Sequence, residues 1–506
     1  MDRQAAAQRT PVPDRLDRPV IVTGLVVVAG LIMVVLDTTI VNVAIDTLSR
    51  QLAAPLSTTQ WVITGYLLAV GLVIPLTGWA IDRFGAKRVW ITSLVLFTAG
   101  SALCALAWSM ESLIVFRILQ GLGGGMLLPG GQTIIARSAG PQRMGRAMSI
   151  IGVPMLLGPV LGPVVGGLIV EYVSWHWIFL VNVPVGILAV ALAVWRLPGG
   201  GQLPEPGRLD LRGLLLLSGG LICLLYGLSR ASTQGGFGGW GVLGWLLAGA
   251  AGVALFSLHS LRRGAASIID VRLFVNRYFA AGSVMIFLVA MTLFGGMLLL
   301  PLYYQAVRGE GALNAGLLLA PQGLGAMLVM PVAGRLTDRI GAGYVVPVGI
   351  VLALLGTLPF TQVGANTSYA LLGGALFVRG LGIGAVMMPT FAAAYSRLSN
   401  EAVSRAAPTL TALQQVGASL GSALLVTMLT QRITQLFTQH GLAASGAGAD
   451  ALGSVPPQLL PRVAPLLADS FGFAFWVAFF LTVALFVPAL LLPRYRKRVQ
   501  AEVPSV

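Results

Sequence analysis

The side chains of this sequence that could do chemistry are few, and they stand in apolar surroundings. Asp37 follows Leu36 midway along the first apolar run. An ionised carboxylate at such depth in a bilayer costs several kcal/mol unless it faces water or a partner, and desolvation favours its neutral form. That makes Asp37 a candidate proton carrier, loading and unloading as its surroundings change. The competing reading is a polar helix contact shared with Thr38, Thr39 and Asn42. Arg117 is a second buried charge, flanked by apolar residues some turns in from Glu111, with snorkelling toward an interface as its alternative. Arg379, just before Gly380, is a third. The second half supplies no acid inside its spans, so Asp37 is expected to be the single deeply buried carboxylate.

Little else suggests chemistry. His176, His259 and His440 are scattered, and Cys104 and Cys223 fall in separate apolar segments without metal or redox spacing. Gly123-Gly-Gly125 lies in an apolar helix, whereas a phosphate loop needs a strand and a lysine. These features point away from an enzyme, and no metal and no cofactor are expected.

The elements that must position these charges are membrane helices. Of 506 residues, 56% are hydrophobic and 10% charged, against about a quarter charged in soluble chains. Apolar stretches of bilayer length recur from Val20 to Leu492. About fourteen helices are expected, near 20–45, 58–81, 89–109, 112–136, 146–171, 176–195, 213–230, 240–259, 279–304, 314–335, 344–362, 369–395, 406–431 and 471–492. The first run lacks the short apolar region and cleavage site of a removable leader and reads as the first span.

The net charge of +15 does not imply nucleic acid, because the basic residues sit in short clusters between spans. With this layout 25 of the 32 Lys and Arg fall on one side. Arg50, Arg230, Arg308, Arg432 and Arg462 fall on the other, and two lie inside spans. Positive charge gathers on the cytoplasmic face, so a multi-pass protein of the cytoplasmic membrane with both termini inside is expected.

An internal repeat organises the spans. Gly78-Trp-Ala-Ile-Asp82-Arg83-Phe-Gly85 returns as Gly334-Arg-Leu-Thr-Asp338-Arg339-Ile-Gly341, offset by 256 residues. Arg146, Gly158 and Gly162 return as Arg405, Gly417 and Gly421, offset by 259. The offset exceeds six short-looped helices by about the two spans at 213–230 and 240–259, which have no counterpart. The expected organisation is an N-tail (1–19), a six-helix bundle (20–200), an inserted hairpin (201–276), a second six-helix bundle (277–492) with a mobile external loop near 432–470, and a C-tail (493–506). Parallel repeats of this kind face one another across a central site.

Five segments in order then carry a family resemblance: Leu36 to Ile45, Gly78 to Arg88, Arg117 to Pro129, Gly158 to Gly167, and Trp175 to Gly186. Over essentially its whole length the chain resembles the fourteen-span drug:proton antiporter branch of the major facilitator superfamily, the EmrB/QacA-like group. The resemblance implies an all-α integral membrane fold and a role for Arg117 in modulating protonation of Asp37. It implies that Gly78, Asp82, Arg83 and Gly85, with Asp338 and Arg339, latch each half to the other. By pseudo-symmetry Asp82 would meet the helix start near Arg405 and Asp338 that near Arg146; local loop stability is the alternative. Gly341-Ala-Gly343-Tyr344 replaces Gly85-Ala-Lys87-Arg88, so the second latch is expected to be the weaker. The fifth span carries Gly158, Gly162 and Gly166 on one face, with Pro159 and Pro163 between them, a segment that marks exporters in the resembled family; a plain packing seam is the other reading.

Asn42, Trp61, Tyr66, Phe116, Met126, Met155, Phe294, Arg379, Met387 and Met388 are candidates for an apolar, adaptable substrate cavity. The leading functional expectation is an exporter of amphipathic drugs or toxic metabolites, monomeric in the bilayer and driven by proton uptake at Asp37. The alternatives are export of a lipid or self-made antibiotic, and a membrane sensor that binds without transport.

Overall fold

Hydrocarbon offers no partner for backbone amides, so an apolar chain crossing it pairs them internally as helix. The computed structural model describes residues 17–140, 143–199, 209–234, 236–440 and 460–494, and every regular element among them is helical. The first six spans are α1 (Arg18–Gln51), α2 (Trp61–Val73, continued by Leu76–Phe84), α3 (Ala86–Ala105), α4 (Met110–Ala139), α5 (Met144–Tyr172) and α6 (His176–Leu180, continued by Asn182–Arg196). A hairpin follows, α7 (Leu211–Gln234) and α8 (Trp240–Arg263). The last six are α9 (Arg277–Ala306), α10 (Ala312–Leu318, continued by Ala320–Ile340), α11 (Ala342–Thr361), α12 (Tyr369–Tyr395), α13 (Asn400–Gln439) and α14 (Leu460–Ala484, continued by Phe486–Ala489).

Twelve helices, and the pair in α2 bent by 54° at Pro75, are long and apolar enough to cross a membrane. The remaining helix, α5, is 29 residues long with Arg146 and Glu171 as its only charges, and completes fourteen. The protein is therefore a multi-pass integral membrane protein.

Within the first six helices α1 packs on α5 and α6, and α4 on α2 and α3; α9 with α13 and α12 with α10 and α11 repeat this in the last six. The two sets meet where α5 touches α10 and the end of α2 touches α13. Both described ends lie on one side of the molecule. Asp17, before α1, accepts from Arg143 at 2.5 Å, and Pro493 accepts from the Gly343 amide at 2.9 Å.

One boundary expectation is corrected. The thirteenth and fourteenth spans were expected to end at 431 and begin at 471, but α13 runs to Gln439 and α14 starts at Leu460. The extensions persist because they bury apolar side chains of their own: Ile433 and Phe437 pack with Val463 and Leu467. Residues 441–459, the rest of the expected external loop, lie outside the described residues, as do 1–16 and 495–506.

Candidate functional site

Asp37, on α1, is fully buried, and its carboxylate accepts three hydrogen bonds. Arg117 Nη1 on α4 donates to Oδ2 at 2.6 Å, and Gln120 Nε2 and Asn182 Nδ2 donate to Oδ1 at 3.0 and 2.9 Å. Ser101 Oγ on α3 accepts from Gln120 at 2.5 Å and from Asn182 at 3.3 Å. Arg117 thus touches the carboxylate whose protonation the resemblance implied it modulates. Gln120, Ser101 and Asn182 complete the network, and none had been singled out as a partner.

A buried ion pair survives only if its remaining donors and acceptors are met. Arg117 meets this condition without relying on Asp37 alone. Its Nε donates to the Val62 carbonyl at 3.1 Å, Nη1 also donates to Gln120 Oε1 at 2.7 Å, and its guanidinium stacks 4.2 Å from the Tyr66 ring centre. When Asp37 takes a proton, Arg117 keeps a carbonyl, an amide and an aromatic face. The site can therefore change charge without stranding a bare cation.

Glycine brings these helices close enough. A Cβ on Gly100 would lie 2.7 Å from the Gln120 Cα, and one on Gly121 would lie 2.7 Å from the Tyr66 carbonyl oxygen. On the opposite flank of α1, Gly158 and Gly162 seat against Val35 and Thr39, where a Cβ would come within 2.1 and 2.0 Å of side-chain atoms. Gly166 faces Ile40, and the Thr39 hydroxyl donates to the Gly158 carbonyl at 3.2 Å. Gly158, Gly162 and Gly166 thus hold α5 against α1 around Asp37, while Gly100 and Gly121 draw α3 and α2 onto α4. The side chains of Pro159, Pro163 and Met155 lie outside the described residues.

Beside this network is a cavity of about 510 Å³ between the halves. Arg117, Tyr66 and Thr38 border it, whereas the Asp37 carboxylate stands behind them. Asn42, Tyr66 and Phe294 line it as expected from sequence, and hydroxyls and amides, among them Thr64, Gln414, Gln415 and Ser419, line it too. Trp61 instead packs on Tyr226 of α7 at 5.8 Å, Phe116 on Trp108 at 5.8 Å, and Met126 against the Ala80–Val89 cluster. Met387 and Met388 are core residues. Arg379 is buried away from the cavity, donating to Gln322 Oε1 at 2.8 Å and to the Thr292 carbonyl at 3.3 Å. The cavity is thus more polar than expected, because sequence hydropathy does not say which face of a helix carries its Thr, Gln and Ser.

The cavity is shut on the side that holds both described ends. Asp82 accepts from the Ser404 hydroxyl at 2.8 Å, with Arg405 Nε at 3.6 Å and Arg137 Nη2 at 3.4 Å. A Cβ on Gly78 would lie 2.7 Å from the Ser404 carbonyl oxygen, so the backbones of α2 and α13 nearly touch. In the second copy Asp338 accepts from the Gly145 amide at 2.9 Å, the Arg146 amide at 3.3 Å and Arg146 Nε at 2.8 Å. Gly85 and Gly341 turn the chain at φ 85° and 93°, a region that favours glycine. Arg83 and Arg339 are exposed, and Lys87 caps α6 by donating to the Val194 and Leu197 carbonyls at 2.8 and 2.7 Å.

One expectation changes here. The second inter-half contact is the tighter, since Asp338 sits at the start of α5 where two backbone amides and a guanidinium converge, while Asp82 is about a quarter exposed. Asp338 and Asp210 are buried too, but at helix ends, so among the described residues Asp37 is the one buried acid at mid-span depth.

A helical membrane protein whose two halves enclose a central cavity, closed on one side and bordered by a buried charge pair, is by class a transporter of small solutes. The family model of the Major Facilitator Superfamily matches residues 27–426, and the chain belongs to that family. It is 42% identical over 425 residues to "Multidrug resistance protein B homolog" of Mycobacterium tuberculosis (strain ATCC 25618 / H37Rv), covering 84% of this chain and 78% of that protein. To "Putative multidrug resistance protein MdtD" of Salmonella paratyphi B it is 33% identical, over 70% of this chain and 75% of the relative. Among solved structures, the human organic anion transporter MFSD10 aligns with a TM-score of 0.58 at 16% identity, covering 92% of this chain and all of that one. The proton:xylose symporter XylE aligns at 0.58 and 17% identity, covering 93% and 94%; at these identities the likeness is one of fold.

Proposed function

We propose that this transporter is a proton-coupled exporter of amphipathic drugs or toxic metabolites, of the fourteen-span antiporter branch. It resides in the cytoplasmic membrane with both termini inside, works as a monomer and draws on the proton gradient with no cofactor. The observation that carries the proposal is the buried Asp37–Arg117 pair placed directly behind the wall of a central cavity. The inserted hairpin supports the branch assignment, the relatives' names support drug export, and the distribution of Lys and Arg supports the orientation.

In this reading Arg117 is the element that proton and substrate share. While Asp37 is ionised the pair is neutral and the cavity accepts substrate. When Asp37 is protonated from outside, the pair gains a net positive charge at the cavity wall while Arg117 keeps its other partners, and that charge weakens the binding of a cationic substrate. The Asp82 and Asp338 contacts hold the cytoplasmic side closed while this happens, and their release reopens it. Gly158, Gly162 and Gly166 let α5 ride closely on α1, so that a change at Asp37 reaches the seam at Arg146.

A substrate panel in inside-out vesicles, with and without collapse of the proton gradient, tests the function. Uptake of drugs or dyes that ceases on collapse supports it. Uptake indifferent to the gradient, or binding with no movement, overturns it.

A further inference from the structure

The inserted hairpin is part of the cavity. Away from the closed side the seam between α2 and α13 is filled by α7. The Ser218 hydroxyl on α7 donates to the Leu72 carbonyl of α2 at 2.8 Å, and a Cβ on Gly71 would lie 2.8 Å from Leu225 Cδ1. On its other flank Leu228 and Ala231 bury against Ala423 of α13, with Val416 and Leu420 alongside. Behind it α8 is pressed close by glycines: a Cβ on Gly249 would lie 2.7 Å from the Leu224 amide nitrogen, and one on Gly220 would lie 3.0 Å from the Val253 amide nitrogen. Leu225, Leu228 and Ser229 reach past α2 and α13 and line the cavity itself.

We infer that α7 is a specificity wall: Leu225, Leu228 and Ser229 limit the bulk of the substrate, and the helix screens the cavity from surrounding lipid. The inference rests on the reading of the cavity as the substrate site. The seam between α5 and α10 shows the contrast. Both seams close at Gly78 and Gly145 on the shut side, but beyond that α10 goes on packing against α5 through its first segment, Ala312–Leu318, whereas the first segment of α2 meets α7 in place of α13. A helix inserted into one of two pseudo-symmetric seams gives the cavity an asymmetric wall with two branched apolar side chains and one hydroxyl. That wall fits an amphipathic molecule entering along the cavity axis. It also disfavours a lipid sliding in from the side.

The hairpin has its own fastening, which explains how a peripheral pair of helices holds such a wall in place. Asp210, just ahead of α7, accepts from the Gly213 amide at 3.1 Å, from His259 Nε2 at 3.0 Å and from Arg263 Nη1 at 3.2 Å. The start of α7 is thereby tied to the end of α8.

The test is thiol accessibility of the full chain in proteoliposomes, with a membrane-impermeant maleimide. Leu225 and the native Cys223 are two positions apart, about 200° around the helix, so Cys223 serves as the internal control facing away from the cavity. S229C should react at least tenfold faster than Cys223. Equal rates would overturn the inference. A second arm measures ethidium against the bulkier rhodamine 6G: L225A/L228A should shift the ratio of their transport rates toward rhodamine 6G by about fivefold or more, and S229F should shift it the opposite way. A ratio unmoved by both would overturn the wall as well. Neither readout needs a proton gradient, so a failure of proton coupling leaves this result interpretable.

Discussion

Gln120 and Arg379 hold the same place in the two halves, 259 residues apart. A Cβ on Gly100 would lie 2.7 Å from the Gln120 Cα, and one on Gly356 would lie 2.6 Å from the Arg379 Cα, so the same glycine-mediated approach seats both. On α9, the counterpart of α1, Arg379 faces Gly296, where a Cβ would lie 2.3 Å from Arg379 Nη2. Duplication kept the backbone packing and exchanged the chemistry: a carboxylate and an amide in one half, a guanidinium facing a glycine in the other. The proposed proton coupling therefore rests on the first half.

Arg379 pairs with no carboxylate among the described residues, and its equivalent position already accommodates glutamine. R379Q should keep gradient-driven export within about twofold of the unaltered chain and leave its thermal midpoint in detergent unchanged or higher. A tenfold loss of coupling would bring the second-half charge into the cycle.

Arg117 behaves differently because its removal strands a buried carboxylate. Breaking one partner of a buried pair costs about 3–5 kcal/mol, so R117Q should lower both yield and thermal midpoint. The double variant D37N/R117Q, which removes the stranded charge, should recover most of that stability while remaining uncoupled. Thermal unfolding of the three variants checks the non-additivity.

The two inter-half contacts should differ in strength. Asp338 receives two amides and a guanidinium at the start of a helix, where an anion is favoured, while Asp82 receives one hydroxyl with two more distant arginines. D338N should open the closed side more than D82N does. Distances between spin labels at the exposed positions 83 and 339 measure this, with a longer population larger in D338N; the reverse order would refute the ranking.

The base of the hairpin should respond to acid. Burial pushes the Asp210 carboxyl up, but the Gly213 amide, His259 and Arg263 outweigh that and hold it below its ordinary value. A depressed carboxyl stabilises the fold above its unfolded value and loses that contribution as pH falls through the folded one. Unfolding temperature measured from neutral pH downward should drop through and below the ordinary carboxylate range near 4. D210N should cost about 2 kcal/mol at neutral pH and flatten that part of the profile.

Much of this was legible in the sequence, for physical reasons. Hydropathy located the spans because the bilayer imposes length and apolarity on each. The family resemblance, carried across the repeat, set Asp82 near Arg405 and Asp338 near Arg146, because duplicated halves reuse one interface. Asp37 and Arg117 stood out because charge is costly at that depth. What stayed hidden depends on rotation about helix axes. Ser101, Gln120 and Asn182 look like ordinary polar residues until three helices turn them toward one carboxylate. The same rotation sends Trp61 and Met126 away from the cavity and brings Gln414 and Ser419 into it. The closer contact at Asp338 was not foreseen, because two of its donors are the backbone amides of Gly145 and Arg146, which carry no residue-type signature.

The central claim is that Asp37 carries the coupling proton, and D37N in proteoliposomes tests it most directly. The asparagine preserves size and can still accept from Arg117, so the protein should fold and catalyse downhill counterflow of dye. Dye accumulation driven by an imposed pH gradient should be abolished. Accumulation by D37N at the unaltered rate would contradict the account.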